Sequence, residues 1–152
     1  MREGVLIALP AAFLFSALAF PIFIKRMHFL QYGQQIREDG PAEHAIKAGT
    51  PTMGGALFVT VTIAICLITG GLLPILLAVL FLLLSCGLIG FIDDYLKVVR
   101  RQSLGLKARS KLAGEAAVAI IFLAILKMIG QYSSVIWVPI FNTEIDLGLT
   151  YP

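Results

Sequence analysis

Charged side chains are scarce in this sequence. Asp, Glu, Lys and Arg make up 14% of its 152 residues, and positions 4–24 and 48–92 contain none of them. A soluble domain is normally about a quarter charged and near half apolar, and no water-soluble fold hides an uncharged run of 45 residues. Cysteine is almost missing too. Cys66 and Cys86 each fall inside an apolar run, which excludes a disulfide-rich secreted scaffold and leaves packing as their expected role. Histidine is limited to His28 and His44, too few to supply a metal-ligand set of their own. There is no internal repeat and no low-complexity tract. What the chain has in quantity is apolar surface, 59% of residues with a mean hydropathy of +0.92. Intrinsic disorder and a coiled coil are thereby excluded.

A helix needs about 20 apolar residues, rising about 1.5 Å each, to cross a hydrocarbon layer near 30 Å thick. The first span is therefore 5–24. The long uncharged run exceeds one helix and carries Gly70, Gly71 and Pro74 near its centre, so it divides into spans at 53–69 and 73–92 joined by a tight hairpin. A fourth span covers 112–129, with Glu115 and Lys127 near enough to its ends to reach the headgroups. The expected fold is an all-α polytopic membrane protein of four transmembrane helices. Ala17-Leu18-Ala19 has the form of a signal-peptidase site. The basic pair Lys25-Arg26 follows the apolar core instead of preceding it, which favours a retained span.

Charge placement gives the orientation. Lys25, Arg26, Arg37 and Lys47 lie between the first two spans, and Lys97, Arg100, Arg101, Lys107, Arg109 and Lys111 between the last two. These loops, 25–52 and 93–111, hold ten of the twelve basic residues and must share a side. By the positive-inside rule that side is the cytoplasm, and the N-terminus lies outside. The net charge of +3 therefore reflects membrane topology, with no nucleic acid implied. The tail 130–152 is expected outside, with a β-hairpin over 135–149 turning at Asn142-Thr143 and Pro139 keeping its first strand at an edge.

Chemistry concentrates on the cytoplasmic side. Asp93-Asp94 closes the third span, where desolvation and the negative helix end both disfavour carboxylates. Lys97, four residues after Asp93, is one compensating cation. On a continued helix it leaves Asp94 turned about 100° away and unpaired. Mg²⁺, which takes one or two carboxylates plus water and phosphate oxygens, is the other, and local features do not separate the two. In Lys47-Ala48-Gly49-Thr50-Pro51-Thr52-Met53-Gly54-Gly55, Thr50 is a good N-cap and Pro51 suits the first helical position. The second span then presents free amides and a positive dipole end beside Lys47, a place for an anion. Glycine packing between helices explains the same glycines, and anionic headgroups alone would satisfy the basic loop. A divalent ion with phosphate accounts for all three features together.

The stretch Gly33-Gln34-Gln35-Ile36-Arg37-Glu38-Asp39-Gly40-Pro41, continuing through His44 and Lys47 to Gly55, closely resembles the first cytoplasmic loop of the phospho-N-acetylmuramoyl-pentapeptide transferases. So does Gly90-Phe91-Ile92-Asp93-Asp94-Tyr95-Leu96-Lys97-Val98, followed by Gly105-Leu106 and Lys111. The related polyprenyl-phosphate N-acetylhexosamine-phosphate transferases share the Asp pair but fit Thr-Pro-Thr-Met-Gly-Gly less well. The resemblance implies transfer of phospho-MurNAc-pentapeptide from UDP-MurNAc-pentapeptide to undecaprenyl phosphate, giving lipid I and UMP for peptidoglycan, by a Mg²⁺-dependent enzyme of the bacterial inner membrane. Carried over by position, Asp93 is the base for the lipid phosphate and Asp94 holds substrate or metal. Lys47, Thr52, Lys97 and Lys111 contact phosphate or nucleotide. Membrane lipids and a second copy of the chain are further expected partners. The family's later Asn- and Asp-rich motif and its histidine loop find no counterpart here, so the chain is expected to be an N-terminal portion with little activity alone. The competing expectation is a non-catalytic membrane module that binds anionic lipid phosphates or a partner protein.

Overall fold

The computed structural model describes residues 2–30, 52–100, 102, 104–140, 142–146 and 148. Among these, four helices precede two strands: α1 Arg2–Phe29, α2 Gly54–Gly70, α3 Pro74–Val99, α4 Ala108–Met128, β1 Val135–Val138 and β2 Thr143–Asp146. Consecutive helices pack against each other, α1 on α2, α2 on α3 and α3 on α4.

Each expected span holds a helix, but boundaries move, and α1 covers Arg2–Phe29 instead of 5–24. α3 runs on from the expected end at 92 to Val99, and α4 starts at Ala108 instead of 112. The reason is local. Hydropathy marks the hydrocarbon layer, whereas a helix stops only where backbone geometry stops it, and nothing in 93–99 is Pro or Gly. The start of α3 follows the turn chemistry: Leu73 is extended, Pro74 takes the first turn, and Gly71 supplies a positive φ of 69° in the link from α2. Pro10 and Pro21 sit inside α1, as membrane helices tolerate.

The helices are apolar on the outside. Met53, Ile65, Ala78 and Leu80 are the buried hydrophobic residues among those described, and no described polar or charged residue is buried. Leu9, Leu18 and Ile68 are exposed, along with many other large apolar side chains. A soluble protein would place these side chains inside, so hydrocarbon is the solvent this surface suits. α1 and α3 are each long and apolar enough to cross a membrane. α2 is apolar but has only 17 residues, about 25 Å of helix. α4 carries Arg109, Lys111, Glu115 and Lys127. The hydroxyls of Thr60 and Thr69 donate to the carbonyls of Ala56 and Ile65, both at 2.8 Å, so neither reaches lipid unpaired. Lys127 Nζ lies over the Tyr132 ring, 4.7 Å from its centroid.

Close packing falls on small residues. Phe20 of α1 meets Phe58 of α2 with ring centroids 4.7 Å apart. A Cβ on Gly87 of α3 would stand 3.0 Å from Val59 Cγ2 of α2, and one on Gly114 of α4 would stand 3.3 Å from Ile89 Cδ1 of α3. We predict that Gly87→Ala lowers thermal stability in detergent, within the roughly 1–3 kcal/mol typical of overpacking. Combined with Val59→Ala the loss should fall below the sum of the single losses, whereas strict additivity would contradict this contact.

The hairpin is shorter than expected. β1 and β2 pair antiparallel from Val135↔Asp146 to Val138↔Thr143. Thr143 belongs to the ladder, not the turn, because Asn142 takes the positive φ of 47° that reverses the chain. Pro139 lies just past β1 and accepts from the Asn142 amide at 3.4 Å. The Ser134 hydroxyl donates to Asp146 Oδ1 at 2.6 Å and the Gly148 amide to the same atom at 2.9 Å. The Ser134 bond, then the Gly148 bond, hold the Asp146 carboxyl below its ordinary value of 3.8. A carboxyl depressed by folding stabilises the hairpin above its unfolded value and stops doing so as pH falls through the folded one. Gly148 amide exchange, corrected for its intrinsic pH dependence, should therefore lose protection below about 3.8 and lose that pH response in Asp146→Asn.

Candidate functional site

α3 has 26 residues, about 39 Å against a hydrocarbon layer near 30 Å. Its first turn holds no acidic residue, and its charges all lie at the other end, where Asp93, Asp94 and Lys97 occupy the excess length. This corrects the expectation that the Asp pair closes the helix. It sits before the last turn, away from the most negative carbonyls.

Lys97 Nζ lies 2.8 Å from Asp93 Oδ2 and 2.9 Å from Asp94 Oδ1. Asp94 is therefore not unpaired, as the helical-wheel reading had it. Positions three and four residues back are both neighbours on a helix, and the long lysine stem puts one ammonium between two carboxylates. The two aspartates nevertheless differ. Asp93 also accepts the Leu106 amide at 2.8 Å on Oδ1, so both its oxygens are engaged, and its side chain is 15% exposed. Asp94 is 36% exposed, and its Oδ2 has no partner among the described residues.

The link from α3 to α4 folds back over this end. The Arg100 amide donates to Leu96 O and the Gln102 amide to Lys97 O. Gly105 lies directly on Asp93, since an added Cβ there would run into the Asp93 carbonyl and carboxylate and stand 2.8 Å from Asp93 Cγ. α4 then starts after an extended Lys107 that has no side-chain cap. Lys111, expected in the loop, is in the first turns of this helix, close enough for its charge to act on Asp93. Arg109 and Lys111 place cations at a positive helix end, which calls for an anion nearby.

The start of α2 departs from expectation. Met53, not Thr50, precedes the helix, with φ 67°, ψ 17° and no side-chain cap. A left-handed residue breaks the helical ladder, so a helix cannot begin before it. Thr50, Pro51, Lys47, His44 and the stretch 33–41 lie outside the described residues. Thr52 is described, and its Oγ1 is buried with no hydrogen-bond partner among the described residues, a state that usually has a reason. A Cβ on Gly55 would touch nothing within 4 Å, and one on Gly54 would make only an ordinary 3.7 Å contact with Phe20. Packing against the described residues therefore does not demand this glycine pair.

The Gly87 and Val59 contact fixes the two helices in height. From it, α2 runs back five residues to Gly54, about 7.5 Å, and α3 runs forward six to Asp93, about 9 Å. Thr52 and the Asp pair thus lie at one level of the bundle. Of the expected site residues, Thr52, Asp93, Asp94 and Lys97 share this end, with Lys111 beside them. Gly105 and the Leu106 amide were missed as contacts of Asp93. They stood in the sequence only as part of the family likeness, and no spacing rule links them to an aspartate more than ten residues earlier. Among the described residues no three or more His, Cys, Asp or Glu side chains are grouped to hold a metal ion.

The family model described as phospho-N-acetylmuramoyl-pentapeptide-transferase signature 1 matches residues 47–59. Curated proteins named phospho-N-acetylmuramoyl-pentapeptide-transferase align over almost the whole chain. The one from Bacillus pumilus is 37% identical, covering 99% of this chain and 48% of its own length. That from Thermoanaerobacter sp. is 43% identical, covering 99% and 47%, and that from Bacillus subtilis is 36% identical, covering 99% and 48%. The chain spans about half the length of the curated relatives it matches. With Thr52 inside the signature and an Asp pair beside it in the fold, the chain is homologous, along nearly its whole length, to about half of a phospho-N-acetylmuramoyl-pentapeptide-transferase.

Proposed function

We propose that this chain serves in transferring phospho-MurNAc-pentapeptide from UDP-MurNAc-pentapeptide to undecaprenyl phosphate, releasing UMP and forming lipid I. The observation that carries the reading is the likeness of nearly all of this chain to about half of proteins named for that transfer. The topology that goes with it has four spans, with the N-terminus and the tail 130–152 outside. Loops 25–52 and 93–111 face the cytoplasm at the inner membrane of a bacterium. A membrane-bound lipid phosphate and a soluble nucleotide diphosphate meet at that interface, where the charged end of α3 and the start of α2 stand level. A homodimer belongs to the same reading.

The donor chemistry fits Mg²⁺ in one respect. Asp94 is 36% exposed and keeps one oxygen without a partner among the described residues, which suits an ion that takes few carboxylates and fills its shell with water and phosphate. Asp93 already has a contact on each oxygen, so Asp94 is the residue of the pair that would hold the metal with less rearrangement. When bound, Mg²⁺ would neutralise charge on the phosphoryl group in flight. Lys97 and Lys111 add fixed positive charge at the same end, and the Thr52 hydroxyl, which has no partner among the described residues, would donate to a phosphate oxygen. Asp93 as base for the lipid phosphate would use the lone pairs that its Lys97 and Leu106 contacts leave. Arg109 and Lys111 at the α4 terminus also suit a module that only binds anionic lipid.

Thr52→Val separates these readings. Removing an unpartnered hydroxyl at constant shape should raise thermal stability, by about 1 kcal/mol. In a protein completed with the part of the Bacillus subtilis relative that this chain does not cover, the same change should cut lipid I formation at least tenfold, roughly the worth of one phosphate hydrogen bond. Unchanged product formation in Thr52→Val would contradict the role given to its hydroxyl, and Mg²⁺-independent lipid binding with no product from the completed protein would contradict the transferase reading.

A further inference from the structure

We infer that Gly105 and the Leu106 amide are positioning residues that latch Asp93. The latch turns Asp93 into the anchor of the link between α3 and α4 and leaves Asp94 as the carboxylate of the pair that faces a ligand.

Three observations converge on this. The first is occupancy: Asp93 Oδ1 takes the Leu106 amide and Oδ2 takes Lys97, while Asp94 spends one oxygen on the same ammonium. The second is space. A Cβ on Gly105 would collide with both the carbonyl and the carboxylate of Asp93. Gly105 has no positive φ, so the backbone there would accept an alanine, and the requirement for glycine is the approach to Asp93 alone. The third is connection. The Gln102 amide is bound to Lys97 O, so two points of the link are tied to the same helical turn, one through the backbone and one through Asp93. With Asp93 fixed, Lys97 has a defined position, and the ammonium in turn fixes Asp94 Oδ1 and leaves Oδ2 without a partner among the described residues. A charged acceptor gives such an amide bond more strength than a neutral one. Only the nature of the ligand facing Asp94, a phosphate or its metal ion, rests on the transferase reading. The latch itself does not.

The test uses the purified chain in nanodiscs with two readouts: amide hydrogen exchange and carbodiimide labelling of carboxylates, read by mass spectrometry. In the unaltered chain Asp94 should label several times faster than Asp93, in line with their 36% and 15% exposure. Asp93→Ala and Gly105→Ala should each speed Leu106 amide exchange at least about tenfold, with α3 amides still protected. Asp93→Asn, which keeps an acceptor oxygen, should retain most of that protection, and Asp94→Ala all of it. In Gly105→Ala the Asp93 carboxylate should label as fast as Asp94, a change that general loosening of the link would not confine to one aspartate. If Gly105→Ala does not fold, the contrast between Asp93→Ala and Asp93→Asn decides. The latch is overturned by equal labelling of the two aspartates in the unaltered chain, or by an unchanged Leu106 exchange rate in Asp93→Ala. No lipid I formation by the completed protein, with the labelling contrast intact in the chain, would instead overturn the transferase reading and uphold the latch.

Discussion

One lysine held between two carboxylates organises the charged end of this molecule. Lys97 touches Asp93 and Asp94 within 2.9 Å, on the part of α3 that outlasts the hydrocarbon layer. The energy involved is modest, because partly exposed ion pairs contribute little after screening and lost side-chain freedom. Its importance is geometric. The ammonium relieves the repulsion of adjacent carboxylates, fixes the rotamers of both, and lets Asp93 spend its other oxygen on the Leu106 amide. The segment entering α4 is therefore held against α3, with Gly105 admitting the close approach.

The helices supply the level at which this happens. Apolar side chains coat their outer faces, and few residues are buried between them. A membrane bundle of this kind depends on close contacts at small residues more than on a hydrophobic interior. Gly87 against Val59 and Gly114 against Ile89 serve that purpose. The first sets α2 and α3 so that Thr52, whose hydroxyl has no partner among the described residues, stands level with the Asp pair. The site thus joins segments some forty residues apart in sequence.

The helical layout was legible because uncharged length is a strong physical demand, and each expected span holds a helix. The ends were not, because hydropathy reports the solvent while capping and backbone conformation decide where a helix stops. Asp94 looked unpaired on an angular argument that ignored the reach of a lysine stem to positions both three and four residues back. Thr50 looked like a cap because the rule for caps is local, whereas Met53 at φ 67° moves the start of α2 past it. Gly105 gave no warning, since its role exists only once the chain has folded back on Asp93. Family likeness pointed to Asp93, Asp94 and Lys97 at the α3 end, and the geometry distinguishes an anchored Asp93 from a more exposed Asp94. Lys47, the cation expected beside the anion site, lies outside the described residues.

The central claim is that the start of α2 and the end of α3 lie together on one side of a membrane. The most direct measurement replaces Cys66 and Cys86 with serine, places single cysteines at 52, 94 or 134, and labels sealed, right-side-out and inverted vesicles with a membrane-impermeant maleimide. Positions 52 and 94 should react in the same vesicle orientation and position 134 in the opposite one. Labelling of 52 and 94 from opposite sides would contradict the account.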